Sequence, residues 1–124
     1  MKKNKIFLLE DNPIHREVIF DGLEDAGYEV KKAQDVDSAE KILKAFIPDL
    51  FLFDIVIGIE KNKGIQYAET LHKNPRFKNI PVLYISAHLN DKNIGEYLPE
   101  ESWNNVLPKP FDFDQLLSKI KGML

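Results

Sequence analysis

The 124 residues include 20 acidic and 17 basic side chains for a net charge of -3, a balance that argues against a basic nucleic-acid-binding face. There is no cysteine, which excludes disulfides, thiolate metal sites and cysteine nucleophiles. With 44% hydrophobic and 30% charged residues the chain suits one compact domain, residues 1–124, burying roughly two-thirds of its unfolded surface.

The basic start, Met1-Lys2-Lys3-Asn4-Lys5, leads into only four apolar residues before Glu10 and Asp11, too few for a signal-peptide core. Apolar runs stay far below the roughly 20 residues of a membrane span, so a cytoplasmic location is expected. Continuous apolar clusters at residues 6–9, 50–53 and 82–85 read as strands buried on both faces of a parallel sheet, with weaker candidates at 28–32 and 105–107.

Helical spacing links Ile14, Val18, Leu23 and Ala26, with Pro13 suited to a first turn and Gly27 to a helix end. It also links Ala39, Ile42, Leu43 and Phe46, with Asp37 and Glu40 as a capping-box-like pair. A third helix is expected over residues 64–73, stopped by Asn74-Pro75, and a last one capped by Asp112 with Phe113, Leu116, Leu117 and Ile120 as its apolar stripe. Residues 91–103, with Gly95 and Pro99, should hold at most a short helix. Alternating strands and helices imply an α/β fold: a doubly wound, five-stranded parallel sheet in a three-layer α/β/α sandwich.

In such sheets functional groups gather beyond the carboxyl ends of the strands. Glu10-Asp11, Asp54, Ser86 and Lys109-Pro110 all fall there. Taken singly, each has a plainer reading: a surface acidic pair, a strand-end turn residue, a turn former, a strand terminus. Together they place three mutually repelling carboxylates where a hard cation such as Mg²⁺ would relieve them. Asp54 is then a candidate nucleophile toward phosphorus, Lys109 a compact positive charge for phosphoryl oxygens, and Ser86 a hydroxyl donor.

The motifs Leu8-Leu9-Glu10-Asp11-Asn12, Phe53-Asp54-Ile55, Ile85-Ser86-Ala87 and Leu107-Pro108-Lys109-Pro110-Phe111, in that order, resemble those of response-regulator receiver domains of the stand-alone chemotaxis type. The resemblance implies a flavodoxin-like (βα)5 fold with strand order 2-1-3-4-5. It implies that Asp54 accepts a phosphoryl group from a histidine kinase or phosphotransfer protein. Mg²⁺ or Mn²⁺ would be held by Asp11, Asp54 and the Val56 backbone carbonyl, with Glu10 acting through water. It further implies a cis Lys109-Pro110 bond, a conformational switch addressing a protein partner, no direct contact with nucleic acid, a monomer or weak dimer, and no enzymatic activity beyond self-phosphorylation and slow autodephosphorylation.

Three departures stand out. Val106 occupies the position where such domains carry an aromatic whose rotamer follows phosphorylation. Gly64 stands ten residues after Asp54 where relatives have glycine eight after, so the 58–64 loop should be longer and more mobile. Val56 offers no side chain to orient water, whereas His88, two residues beyond Ser86, could tune hydrolysis. His15 and His72 read as exposed helix residues, and Trp103 as core edge or partner surface. Alternatives are a phosphate-independent docking module, a receiver cut from a hybrid kinase or longer regulator, and an aspartate-nucleophile phosphatase. The last is disfavoured because haloacid-dehalogenase-like enzymes place a second aspartate where this chain has Val56.

Overall fold

The computed structural model describes residues 3–58, 60, 62–87 and 105–124. Five parallel strands, β1 (Lys5–Leu9), β2 (Glu29–Ala33), β3 (Leu50–Asp54), β4 (Val82–Ser86) and β5 (Val106–Pro108), form one sheet in the order β2-β1-β3-β4-β5. The order is the one implied by the resemblance, and it reverses direction between β1 and β3. Four helices are described: α1 (Pro13–Asp25), α2 (Val36–Leu43), α3 (Lys63–His72) and α4 (Phe113–Met123). None of them is long and apolar enough to cross a membrane.

The continuous apolar runs are explained by burial on both sides of the sheet. Phe7, Leu9, Phe51 and Phe53 face a core completed by Ala39 and Leu43 of α2 and by Ile65, Ala68 and Leu71 of α3. Ile6, Leu8, Leu50, Leu52, Leu83 and Ile85 face the other core, closed by Ile19 and Leu23 of α1 and Leu116 and Ile120 of α4. Phe51 and Phe53 lie 5.1 Å apart between ring centroids, and Phe7 meets both edge-on, so the first core is held by aromatic packing. Edge strand β2 is only partly buried, with Val30 in one core and Ala33 in the other while Lys31 is exposed.

Several local expectations need correction. Ile14 and Val18 are 72% and 62% exposed, and α1 is anchored by Ile19 and Leu23. The N-cap of α2 is Asp35, whose side chain accepts from the Ser38 N–H at 2.8 Å, so Asp37 is a first-turn residue and the pairing with Glu40 is not the cap. Phe46 is buried but lies beyond the end of α2, carried into the core by the turn that leads to β3. Strand β2 starts one residue later than expected, because the Tyr28 N–H is held by the Leu23 carbonyl as α1 unwinds through Gly27 (φ +99°). Pro13 starts α1 and Asp112 is the N-cap of α4, both as expected, and Gln115 adds a capping box to the latter. His88, Trp103 and the expected short helix within 91–103 lie outside the described residues.

Candidate functional site

Glu10 and Asp11 follow β1, the strand that pairs with β3, so the acidic pair is carried to the end of the strand that terminates in Asp54. One carboxylate oxygen from each of the three lies within 4.8 Å of the others. Strand β5 is short, and its last residue opposes Ser86. The Lys109 N–H then donates to the Ser86 carbonyl at 2.9 Å, and the Lys109-Pro110 bond that follows is cis. The Lys109 ammonium donates to Glu10 Oε1 at 2.8 Å and to Asp54 Oδ2 at 2.9 Å. Ser86 is buried at the end of β4 on the same edge.

Backbone N–H groups hold one further oxygen of Asp54 and one of Asp11. The Val56 N–H donates to Asp54 Oδ1 at 3.0 Å, and the Gly58 N–H donates to Asp11 Oδ2 at 2.8 Å. Gly58 has φ +67°, a left-handed conformation that glycine adopts without steric cost, and its N–H is the group that meets Asp11. Residues 59 and 61 of that loop lie outside the described set. From the first turn of α1, the Arg16 guanidinium donates to the Glu10 carbonyl at 3.1 Å.

Close approach of α3 to β3 depends on Gly64. Its N–H donates to the Ile55 carbonyl at 2.9 Å, and a Cβ there would fall 1.9 Å from the Asp54 carbonyl oxygen. Gly64 thus lets α3 pack directly against the strand end that carries Asp54.

Among the described residues, negative charge outweighs positive at the site. Glu10 is fully buried, and its Oε2 has no hydrogen-bond partner. Burial, reinforced by the neighbouring Asp54 carboxylate, raises the Glu10 carboxyl from an ordinary 4.5 to about 8. Burial alone would lower the Lys109 ammonium; its hydrogen bond to Glu10 and the charge of Asp54 outweigh this and hold it above its ordinary value. One lysine does not neutralise three carboxylates.

His15 is an exposed helix residue as expected, and in addition its Nδ1 lies 3.1 Å from Lys109 Nζ and 3.3 Å from Glu10 Oε1. It stands in the first turn of the helix that follows the acidic pair, and helical side chains lean toward the N-terminus, a signal that could have placed it here. His72 is elsewhere, with its Nε2 2.8 Å from the Ile80 carbonyl oxygen.

The sequence pattern of the family described as response regulator receiver domain matches residues 6–121. The chain belongs to that family. Receiver domains are the signalling modules of two-component response regulators, switches rather than conventional enzymes. This receiver domain is 28% identical over 122 residues to the DNA-binding dual master transcriptional regulator RpaA of Synechocystis, covering 97% of this chain and 48% of the relative. The chain spans about half the length of the curated relatives it matches. Among solved structures, the chemotaxis response regulator CheY4 of Vibrio cholerae superposes with TM-score 0.82 at 22% identity, covering 99% of this chain and all of that one, and so shares the fold. The Thermotoga maritima response regulator TrrA, solved in complex with Mg²⁺ and BeF, matches with TM-score 0.78 at 25% identity, covering 98% of this chain and 99% of that one.

The receiver domain's acidic cluster suits a hard divalent cation. All its donors are oxygens, the preferred ligands of Mg²⁺. The unpartnered, buried Oε2 of Glu10 and that carboxyl's raised affinity for a proton both mark a place where positive charge is wanted.

Proposed function

We propose that this domain is a phosphorylation-operated switch in which Asp54 accepts a phosphoryl group from the phosphohistidine of a histidine kinase or phosphotransfer protein. The observation that carries this reading is the Lys109 ammonium bound at once to Glu10 and Asp54, bringing residues from the ends of β1, β3 and β5 to one point. Asp11 and Asp54, with the Val56 carbonyl and with Glu10 through water, would hold Mg²⁺ or Mn²⁺. When bound, the cation neutralises charge on the phosphoryl oxygens. The Mg²⁺–BeF complex of the similar TrrA supports this assignment.

An Asp54 carboxylate oxygen forms the bond to phosphorus as the P–N bond to the donor's imidazole breaks, and that bond's electron pair leaves with the imidazole. Lys109 supplies positive charge to the phosphoryl oxygens throughout. Ser86, at the end of the neighbouring strand, donates its hydroxyl to the acyl phosphate. The phosphorylated state then favours one of two conformations, and a protein partner reads which is populated. Val106 is half-buried against the core that contains Phe53 and Tyr84. Having no large ring to swing, it leaves the readout to Ser86 and the segment after it. The domain works as a single unit over residues 1–124, in the cytoplasm, as a monomer or weak dimer.

The test is incubation with Mg²⁺ and acetyl phosphate followed by intact-mass measurement of the wild type and Asp54→Ala. A gain of one phosphoryl group in the wild type alone is the expected result. No gain in either folded protein would instead favour a phosphate-independent docking module.

The lifetime of the phosphorylated state follows from Val56, whose side chain packs partly into the core and presents no polar atom to an attacking water. Phosphorylated protein freed of donor is expected to decay over minutes or longer, by mass measurement at intervals. Decay within seconds would show that another group activates the water.

A further inference from the structure

We infer that His15 is a positioning residue that keeps hold of Lys109 while the lysine exchanges its carboxylate partners for phosphoryl oxygens. This rests on the receiver reading above and concerns a residue that the reading leaves unused.

An ammonium has three N–H donors. Among the described residues three acceptors surround Lys109 Nζ: Glu10 Oε1 at 2.8 Å, Asp54 Oδ2 at 2.9 Å and His15 Nδ1 at 3.1 Å. Two of these are carboxylates of the acidic cluster, so a hard cation bound there competes for both. Phosphorylation also converts Asp54 from a carboxylate to an acyl phosphate. The imidazole is outside both changes: nitrogen ligands suit softer metals, and phosphorylation of Asp54 leaves the ring chemically unaltered. It is therefore the one partner of the three that stays on Lys109 through the reaction, leaving two N–H groups free to meet phosphoryl oxygens.

Local structure makes the contact reliable. The His15 N–H donates to the Asn12 side chain at 3.1 Å, which pins the first turn of α1 directly after the acidic pair. The side chain is 49% exposed, so its position at the mouth of the site is not explained by core packing. Glu10 Oε1 lies 3.3 Å from the same Nδ1, so a hydrogen on Nδ1 could be directed there, but that hydrogen would stand beside the ammonium 3.1 Å away. The neutral ring with its hydrogen on Nε2 avoids the clash and accepts from Lys109.

The experiment compares wild type, His15→Leu, which removes the acceptor but keeps bulk, and His15→Gln, which offers a carbonyl oxygen instead. Phosphorylation by acetyl phosphate with Mg²⁺ is measured across donor concentrations, alone and in a Lys109→Ala background. His15→Leu should lower the limiting rate about fivefold to tenfold, the worth of one hydrogen bond of roughly 1 kcal/mol, with little change in half-saturating donor. His15→Gln should recover most of it, and in the Lys109→Ala background His15→Leu should add nothing. In metal-free protein, nitrogen NMR should show the Lys109 ammonium hydrogens exchanging faster in His15→Leu. An unchanged rate and unchanged exchange in His15→Leu, or the same loss without the lysine, would overturn the inference. A wild type that takes up no phosphoryl group would overturn the receiver reading itself, leaving the ammonium exchange to decide the contact.

Discussion

Gly64→Ala is expected to destabilise the domain by about 3 kcal/mol, at the upper end of overpacking costs, and to slow phosphorylation of Asp54 sharply. The added Cβ would sit 1.9 Å from the Asp54 carbonyl oxygen, 2.9 Å from its carbon and 3.2 Å from Ile55 Cα. All three are backbone atoms of the strand end that carries Asp54, so no rotamer change relieves the clash. Either α3 withdraws and loses the Gly64–Ile55 hydrogen bond, or the end of β3 shifts and takes Asp54 away from Lys109. Urea unfolding and acetyl-phosphate labelling on the same preparation measure both effects. A wild-type unfolding midpoint with wild-type labelling would mean that the helix and strand are less tightly apposed than this structure has them.

The second large effect is a dependence of stability on pH. The Glu10 carboxyl titrates near 4.5 when unfolded and at about 8 when folded, so between those values the folded state binds the extra proton. Stability from this group is complete below pH 4.5 and is lost as pH rises through about 8, a fall on the order of 4 kcal/mol in metal-free protein. The Lys109 ammonium, held above 10.5, acts only at higher pH, and the Asp35 carboxyl, lowered by its hydrogen bonds to Ser38, acts only in acid. Unfolding measured from pH 5 to pH 8.5 should therefore show a decline that Glu10→Gln flattens. Mg²⁺ should restore stability at the alkaline end, since a ligand of the folded state alone adds stability with its concentration. A flat profile in metal-free wild type would show that Glu10 is already compensated.

The site was legible because its motifs sit at strand ends, and strand ends were marked by unbroken apolar runs such as Phe51-Leu52-Phe53 before Asp54. Doubly wound topology then brings those ends to one edge. Where burial is one-sided the signal weakened: Glu29-Val30-Lys31-Lys32-Ala33 forms an edge strand with mixed exposure, and it was placed one residue early. Helical periodicity misled at Ile14 and Val18, because a spacing of apolar residues does not say whether another element covers that face. Periodicity likewise ran through Phe46, which the core holds without any helix. His15 escaped because a histidine on a helix carries no information until the helix's start is tied to the carboxylates beside it.

The lysine contact joins residues far apart in the chain: Lys109 is 99 positions from Glu10 and 55 from Asp54. Three strands of the sheet must be in register before those atoms can meet, and such distant pairings are slow to form. A nascent or partly unfolded chain thus carries the acidic residues without the charge that readies them for a phosphoryl donor. On the proposed reading, the domain becomes competent only once its folding is complete, and incompletely folded copies would neither take up phosphate nor compete for it.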